Sequence, residues 1–315
     1  MLRRSLLATP LALPTLARAQ AAATRFVVPY PPGGAVDGTA RLFAARLALA
    51  SGQAFIVENR AGANGTIGGE LVRRAAPDGT TFLYSASIAV ALPLTVKNIP
   101  YDPIADFAPV ARVAEGPLLI SVHPSVPGAT LHEVMTYAKA NQDRFNFATS
   151  GLGSAGHIAI AQLKQRYGIE GPIAGYRGAG PVLNDLAGGA VHIFADPILS
   201  SLPVARSGRI RAVAVTAAVR SPAAPDIPTT AEGGVAELLG ASWYGVWAPK
   251  GTPEAAITRL NAALNDAARD PELVRRLEAL GFAPVTGSPA DFARYQQDEF
   301  ERTAAVVRAA GIVPE

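Results

Sequence analysis

The sequence predicts an α/β protein of two domains, each with a mostly parallel sheet flanked by helices. The first observation is an alternation of strand, turn and helix that starts at Phe26 and recurs until about Ser85. The second is that residues 124–239 repeat this alternation as a separate unit. The third is a helical C-terminal region, because its helices need a sheet to cover. A length of 315 residues suits one large domain or two of ordinary size.

The first unit begins with the stretch Val27–Asp37, which combines a strand end, a rigid loop and a helix start. Three prolines end the strand, because proline fixes φ and has no N–H. Gly33 and Gly34 leave backbone amides accessible, and Asp37 is placed as the N-cap of a helix that runs to about Ala50. Amides at a helix N-terminus form a site for a small anion. A tightly capped loop without a ligand explains the same pattern equally well.

Two further strands complete the first unit. Residues 54–58 form the second strand, the Gly-rich turn 59–69 enters a helix that ends near Ala76, and residues 81–85 form the third strand. This βαβαβ order implies a parallel sheet, whose ligand sites lie at the carboxyl ends of its strands. Residues 86–110 contain four prolines and are expected to be irregular.

The second unit follows a buried strand at residues 118–122. Thr130 and Glu133 form a capping box for a helix that runs to about Asn141. The later elements alternate as strand 145–149, loop 150–157, a helix to Tyr167, strand 173–176, helix 180–187, strand 191–196, helix 197–205 and strand 210–215.

A long aromatic strand at residues 242–249 leads back to the first unit. Its Trp243, Tyr244 and Trp247 are expected to pack in the core or at a hinge. Three helices follow, each with a proline at its start, and they are expected to cover the N-terminal sheet.

We therefore expect the chain to cross between the domains twice, along residues 116–122 and 242–248. Domain 1 then comprises residues 24–121 and 242–315, and domain 2 comprises residues 122–241. Two crossing strands of this kind make a hinge, and the groove between the domains is the expected ligand site.

Residues 1–19 are predicted to be an export signal peptide. Arg3 and Arg4 precede a modestly apolar stretch that ends at Ala17-Arg18-Ala19, an A-x-A cleavage site. The paired arginines also resemble a twin-arginine signal. The stretch is too short, and too often interrupted by proline, to span a membrane. The mature chain is therefore expected in the periplasm, without insertion into the membrane.

The composition argues against several classes of protein. Three of the 28 Lys and Arg residues lie in the predicted signal, which leaves 25 against 25 Asp and Glu. A chain without surplus positive charge does not suit nucleic acid or an anionic membrane. The absence of cysteine excludes disulfides and thiol nucleophiles. Four histidines without ligand-like spacing argue against a metal site, and no cofactor is expected.

Residues Gly151 to Gly156 spell G-x-G-x-x-G between a strand and a helix, with Glu170 about 20 residues later. Taken alone, this motif predicts an exported NAD(P)-dependent oxidoreductase. The strand before it is not a continuous apolar run, and no clear strand carries Glu170. A second anion cradle, formed by Ser150, Ser154 and the glycine amides, is therefore the favoured interpretation.

The residue types of a Ser–His–Asp triad are present as Ser154, His157 and Asp196. No G-x-S-x-G elbow is present, and Ser154 and His157 lie in one turn, which suits a nucleophile and its base poorly. His157 is expected to donate to a ligand or to cap its helix. Asp196 is expected either to contact a ligand or to cap the next helix.

Short motifs follow one another in order along the whole mature chain. They are Tyr30–Gly34 with Asp37, Val57–Arg60, Pro77–Gly79, Pro100–Pro103, Asp106–Val110, Gly151–Ser154 with His157, Tyr176–Gly178, Asp185–Gly189, Arg211–Thr216, Pro225–Thr229 and Ala248–Pro253. Each motif is weak alone, but the ordered set is specific. In these motifs the chain resembles the extracytoplasmic substrate-binding proteins of tripartite tricarboxylate transporters, the TctC or Bug family. One departure is Arg177, which replaces the lysine of the family's Tyr-Lys-Gly.

The resemblance implies a two-domain periplasmic binding fold that closes on a small carboxylated solute: a dicarboxylate, tricarboxylate, amino acid or aromatic acid. Loops 30–37 and 149–157 are expected on opposite walls of the cleft. The implied ligand contacts are Tyr30, Gly34, Asp37, Ser87, Thr149, Ser150, Gly151, Ser154, His157, Tyr176 and Asp196. The implied partners are integral membrane permease subunits, and the receptor itself is expected to be a monomer that catalyses no reaction.

Overall fold

The computed structural model describes residues 23–314 except Glu237 and Leu239, so the predicted export signal lies outside the described residues. Within this part of the chain there are ten strands and ten α-helices. The strands are β1 Thr24–Val28, β2 Phe55–Asn59, β3 Thr81–Ala86, β4 Phe107–Val122, β5 Phe147–Thr149, β6 Ile173–Gly175, β7 Ile193–Pro197, β8 Arg211–Val215, β9 Ala241–Pro249 and β10 Ala283–Pro284. The helices are α1 Ala35–Ser51, α2 Thr66–Arg73, α3 Ile88–Thr95, α4 Leu131–Ala140, α5 Ala155–Tyr167, α6 Ala179–Gly188, α7 Ile198–Arg206, α8 Glu254–Ala268, α9 Pro271–Ala279 and α10 Pro289–Ala309. None of these helices is long and apolar enough to cross a membrane.

The strands form two sheets that share β4. In the first sheet β1 lies between β2 and β3 and is parallel to both, and in the second β5 is parallel to β6 and β7. These pairings confirm the two parallel units that the sequence predicts. The pairings of β9 with β3, and of β4 with β7, β8, β9 and β10, are antiparallel, so each sheet is mixed. We call the part built on β1, β2, β3, β9 and β10 the first lobe, and the part built on β5 to β8 the second lobe.

Strand β4 connects the two lobes. Its residues Phe107–Pro117 pair with β9, and its residues Leu118–Val122 pair with β7 and β8. The chain returns past Gly240, whose carbonyl accepts a hydrogen bond from the Thr216 hydroxyl, and β9 then starts opposite Pro117. The lobes are thus joined where these two chain segments cross between them, as a hinge requires.

Each lobe has its own hydrophobic core. In the first, Phe26, Phe43 and Tyr244 belong to a cluster with residues of α8 and α9, and Trp243 and Trp247 pack with residues of α3 and α10. In the second lobe, one cluster joins α4 and α5 to the sheet, and another joins α6 to it. The packing role expected for the two tryptophans is therefore confirmed.

Two predictions about the segment before the second lobe are wrong. Residues 88–95, expected to be irregular, form helix α3 although Pro93 lies inside it. The helix is short and mostly buried, so tertiary packing offsets the loss of the hydrogen bond that proline cannot donate. The strand expected at residues 118–122 begins at Phe107, because its first half pairs with β9.

Candidate functional site

A cavity of about 430 Å³ lies between the two lobes. It is lined by the loops that follow β1, β3, β5, β6 and β7, together with residues at the start of β9. This is the edge at which the sequence places the ligand site. Seven predicted contact residues line it: Tyr30, Gly34, Asp37 and Ser87 from the first lobe, and Ser150, Ser154 and Asp196 from the second.

Five helices begin at this cavity. The lining residues at their starts are Gly34 and Ala35 of α1, Ser87 and Ile88 of α3, Ser154 and Ala155 of α5, Gly178 and Ala179 of α6, and Pro197 before α7. Within the described residues, no side chain caps α1, α3, α6 or α7. The first N–H groups of a helix have no partner inside the helix, and the helix N-terminus carries a partial positive charge. The cavity therefore favours an anionic group.

Asp37 holds the proline-glycine loop of the first wall. The N-cap of α1 is Gly34, so the prediction that Asp37 is the cap is wrong. Its carboxylate accepts hydrogen bonds from the Gly33 N–H at 3.0 Å, Asn59 Nδ2 at 2.9 Å and Arg41 Nε at 3.0 Å. Burial acts to raise the pKa of Asp37, but these hydrogen bonds and the charge of Arg41 outweigh it, and the pKa lies below its usual value. Most of the hydrogen-bonding capacity of Asp37 is thus used inside the protein.

A network of hydroxyls holds the second wall. Thr149 Oγ1 donates to the Gly151 carbonyl at 3.0 Å and lies 3.0 Å from Ser154 Oγ. Ser154 Oγ also accepts the His157 N–H at 3.1 Å, which caps α5. These contacts fix the turn that carries Ser150 and Ser154 to the cavity.

Asp196 forms a buried polar end of the cavity. It is 2% exposed, and burial raises its pKa to about 7 although the Ser150 hydroxyl acts to lower it. Ser150 Oγ donates to Asp196 Oδ1 at 2.9 Å. Asp196 Oδ2, Ser200 Oγ and Tyr244 Oη have no partner among the described residues. Because buried polar atoms without partners are uncommon, this end of the cavity offers both acceptors and donors to a ligand.

Thr149 and Gly151, two of the predicted contacts, do not line the cavity. Thr149 is fully buried in the hydroxyl network. Gly151 packs against the first lobe, where a Cβ atom at residue 151 would lie 2.7 Å from Asn64 Oδ1. Both residues support the wall from behind it.

Tyr176 and His157 also lie outside this cavity. The Tyr176 hydroxyl donates to Asp185 Oδ2 at 2.6 Å. His157 is 4% exposed, and its ring lines a separate cavity on α5. The sequence pattern identifies the turn to which His157 belongs but not the direction of its ring.

Several lining residues lie outside the predicted set of contacts. Arg177, Gly178 and Gly180 line the cavity at the start of α6. A glycine-rich loop before a helix is the signal that predicts the other two walls, and the same signal is present in this third loop. Tyr244 is expected to pack, and it does pack in the core, but it is also one of the residues that line the cavity.

The arrangement supports neither a hydrolase triad nor a dinucleotide site. The Gly153 N–H donates to His157 Nδ1 at 3.0 Å, and Asp196 pairs with Ser150 instead of His157. A Cβ atom at Gly156 would lie 1.9 Å from the Ala195 carbonyl oxygen, so packing of α5 on β7 accounts for this glycine. Among the described residues, no group of three or more His, Cys, Asp or Glu side chains is arranged to hold a metal ion.

Residues 39–312 match the sequence model of the TctC family, the tripartite tricarboxylate transporter family receptors. The chain is 36% identical to the protein BugT of Bordetella pertussis over 290 residues, which cover 91% of this chain and 89% of BugT. It is also 36% identical to the UPF0065 protein in the tcbD-tcbE intergenic region of Pseudomonas sp. strain P51. This match covers 88% of this chain and 83% of the Pseudomonas protein.

Solved structures show the same fold. The R. palustris protein Rpa4515 with adipate has a TM-score of 0.88 and 37% identity, and the alignment covers 93% of this chain and 98% of that one. MatC from Rhodopseudomonas palustris with bound malate has a TM-score of 0.82 and 33% identity, over 90% and 98% of the two chains. The periplasmic binding protein BugD has a TM-score of 0.86 and 31% identity, over 93% and 98%. The fold is therefore the two-domain periplasmic binding fold, and the chain belongs to the TctC family of tripartite tricarboxylate transporter receptors.

Proposed function

We propose that this protein is an extracytoplasmic receptor that captures a small organic carboxylate between its lobes and delivers it to a tripartite tricarboxylate-type membrane permease. The observation that carries the proposal is the convergence of five helix N-termini on one cavity. Oriented N–H groups and helix dipoles hold a carboxylate without a positively charged side chain. Because the termini come from both lobes, such a ligand would favour the arrangement in which the lobes close on it.

The lining of the cavity supports a ligand with an aliphatic body and polar ends. Apolar side chains of Pro31, Ile88 and Leu183 line it together with the amides and hydroxyls. Asp196 provides a second polar end: burial raises its pKa to about 7, and in its neutral form the unpartnered oxygen can donate a hydrogen bond to a carboxylate. Adipate and malate, the ligands in two related structures, have carboxyl groups at both ends of a short aliphatic body. We infer a ligand of the same general kind, a small dicarboxylate or a related acid.

The family and the export signal predicted for residues 1–19 support a periplasmic location and a permease partner. A receptor that serves sensing instead of transport would bind the same ligand by the same lobes. We place the boundary between the two domains near residues 121 and 242, where the chain crosses between the sheets. We also propose that the receptor acts as a monomer, without catalysis or a cofactor.

The other candidate was an NAD(P)-dependent oxidoreductase using the loop Gly151–Gly156. This is less well supported, because the loop glycines contact other parts of the protein. A Cβ atom at Gly153 would lie 2.6 Å from Thr95 Oγ1, and Gly156 lies against Ala195. The close backbone approach that a pyrophosphate needs is therefore already used by protein atoms.

Calorimetric titration of the mature chain tests the proposal. We expect saturable binding of at least one acid from a panel of mono-, di- and tricarboxylates, amino acids and aromatic acids that includes adipate and malate. The corresponding dimethyl ester or diamide should not bind, because it lacks the negative charge. Binding of NAD, or failure of every acid to bind, would contradict the proposal.

A matched pair of serine variants assigns the binding to this cavity. Ser150→Ala removes a lining hydroxyl, whereas Ser207→Ala removes an exposed hydroxyl that donates to the Val204 carbonyl. We expect weaker binding only in the first variant. For the permease, uptake of the identified acid should require the receptor in cells that carry the permease subunits.

A further inference from the structure

A second cavity, of about 480 Å³, lies between the lobes and is separate from the first. On the second lobe it is lined by α5 and by residues 169–173. On the first lobe it is lined by Thr95 at the end of α3 and by residues 309–313, which comprise the last residue of α10 and the four that follow it. Gln165 Nε2 donates to the Ala309 carbonyl at 3.0 Å and connects these two sides.

Two buried basic side chains line this cavity and have no role in the first one. His157 is 4% exposed and Lys164 is 6% exposed. They lie seven residues apart on α5, with Ala161 between them, and therefore on one stripe of the helix. A rise of about 1.5 Å per residue separates their backbones by about 10 Å. Such a spacing suits a small elongated molecule better than a single atom.

The His157 ring has one hydrogen bond and one free donor. Nδ1 accepts the Gly153 N–H at 3.0 Å, so the neutral ring carries its hydrogen on Nε2. Burial lowers the pKa of His157 to about 4, which keeps the ring neutral at pH 7. No described residue accepts a hydrogen bond from Nε2.

Lys164 also has donor capacity left. Its ammonium group donates to the carbonyls of Glu170 and Gly171 and lies 4.8 Å from the centre of the Phe147 ring. An ammonium group has three donors, so one N–H remains. Burial lowers the pKa of Lys164. The only carboxylate among the described lining residues is that of the exposed Glu170, which disfavours a highly charged anion at this edge.

We propose that this second cavity binds a small organic carboxylate, with His157 Nε2–H and the Lys164 ammonium group as its donors. Both free groups are donors, so they require an acceptor, and a carboxylate supplies negative charge opposite the buried cation. The site stands on its own geometry and does not depend on the proposed function of the first cavity.

The second site is also coupled to the first by a single turn of chain. The Gly153 N–H and the His157 ring are hydrogen bonded, and the His157 N–H is held by Ser154 Oγ, which lines the first cavity. An anion that orders His157 orders this turn. Because both lobes line the second cavity, its occupation also stabilises their contact. We therefore expect positive coupling between the two sites.

Nuclear magnetic resonance of the mature protein with ¹⁵N-labelled histidine tests the site directly, and succinate is the probe. The His157 ring signals should shift saturably, and Lys164→Met should weaken this binding by roughly tenfold or more. Lys139→Met is the matched control, since this exposed lysine also donates to a carbonyl, that of Gly168, and does not line the cavity. The unliganded His157 signals of each variant report that the fold is intact.

Two further titrations separate the possible outcomes. Ser150→Ala removes a hydroxyl that lines only the first cavity, so the His157 response to succinate should persist, shifted to higher succinate concentration by the coupling. Complete loss of the response would mean that succinate acts only from the first cavity and would overturn the proposal. Succinamide should give no response. A response to inorganic phosphate without one to succinate would contradict the carboxylate assignment, and no saturable response at millimolar probe would contradict the site itself.

Discussion

At the scale of single residues, the first cavity contains two buried carboxyl groups in opposite surroundings. Asp37 receives hydrogen bonds from an amide, a side-chain amide and a guanidinium group, and its pKa is lowered. Asp196 receives one from Ser150 and its pKa is raised. The first therefore acts as a fixed anchor of the loop, and the second remains available to the ligand. The two residues should differ in their response to substitution and to pH.

Replacement of Asp37 should impair both stability and binding. Asp37→Ala leaves the Gly33 N–H without its acceptor and removes one of the two acceptors of Asn59 Nδ2, which keeps the Tyr30 carbonyl; the loss of hydrogen bonds to a charged, largely buried group costs about 2 to 3 kcal/mol. The loop that carries Gly34 is then no longer held, so we expect affinity for the carboxylate to fall by roughly tenfold or more. Urea denaturation and calorimetric titration measure the two effects.

Asp78→Ala is the control for this prediction. Asp78 accepts hydrogen bonds from the N–H and hydroxyl of Thr80 in an exposed turn and does not line the cavity. Its replacement should leave affinity unchanged. Full affinity in Asp37→Ala would show that the loop keeps its shape without the anchor.

The raised pKa of Asp196 predicts a pH-dependent stability. Between its ordinary value of 3.8 and about 7, only the folded state keeps the proton, so the free energy of unfolding falls as pH rises through this window. Asp196→Asn removes the titration. At pH 8 the variant should be more stable than the parent, by on the order of 2 to 4 kcal/mol, and the difference should disappear near pH 4.

Denaturation of the ligand-free protein at several pH values measures this effect. Asp143→Asn, at an exposed position, should keep the parent's pH profile. A parent whose stability does not change between pH 4 and 7 would show that Asp196 ionises normally in the folded protein.

At the scale of elements, the sequence predicts most helices and strands correctly where neighbouring residues in the chain determine the local structure. The capping boxes Thr130–Glu133 and Ser288–Asp291 start α4 and α10 as that chemistry requires. Helix α3 was missed because Pro93 argues against it locally, while its burial in the first lobe favours it. Local signals report the chain's own preference, and packing between distant segments overrides it where burial is large.

The features of the candidate site also divide into those set by local sequence and those set by packing between distant segments. Glycine loops before helices located two walls of the cavity, because backbone amides at a helix start need only a local pattern. The direction of each side chain was less predictable: the His157 ring faces the second cavity, since its Nδ1 is bound to Gly153. Tyr244 lines the cavity from β9 of the first lobe, far along the chain from the glycine loops, and the spacing of residues in the sequence does not show this proximity.

The packing of α5 on β7 predicts a strong effect at Gly156. Gly156→Ala places a methyl group 1.9 Å from the Ala195 carbonyl oxygen, so the helix must move away from the strand that carries Asp196. We expect a loss of stability of about 2 kcal/mol or more and weaker ligand binding. Gly180→Ala is the matched control for stability, because Gly180 lies in the first turn of α6 and its Cβ position is open. Equal stability of the two variants would contradict the predicted clash.

At the scale of the whole molecule, the two lobes also contact each other directly. Asn64 Nδ2 of the first lobe donates to the Leu152 carbonyl of the second at 2.7 Å. A Cβ atom at Gly178 would lie 3.6 Å from the Pro31 side chain of the facing loop. These contacts form only when the lobes are close, so they add to the affinity of any ligand that draws the lobes together.

Asn64 allows this contribution to be measured with little disturbance of the backbone. It has a φ of 53°, a conformation that glycine adopts without strain, so Asn64→Gly removes the hydrogen bond and keeps the turn. Loss of a hydrogen bond worth about 0.5 to 1.5 kcal/mol should weaken ligand binding by roughly 2- to 12-fold, with a larger share of open molecules in solution scattering. Asn98→Gly, at an exposed asparagine with a φ of 55°, repeats the backbone change away from the cavity and should leave affinity unchanged. If both variants bind the ligand like the parent, the contact between the lobes does not contribute to closure.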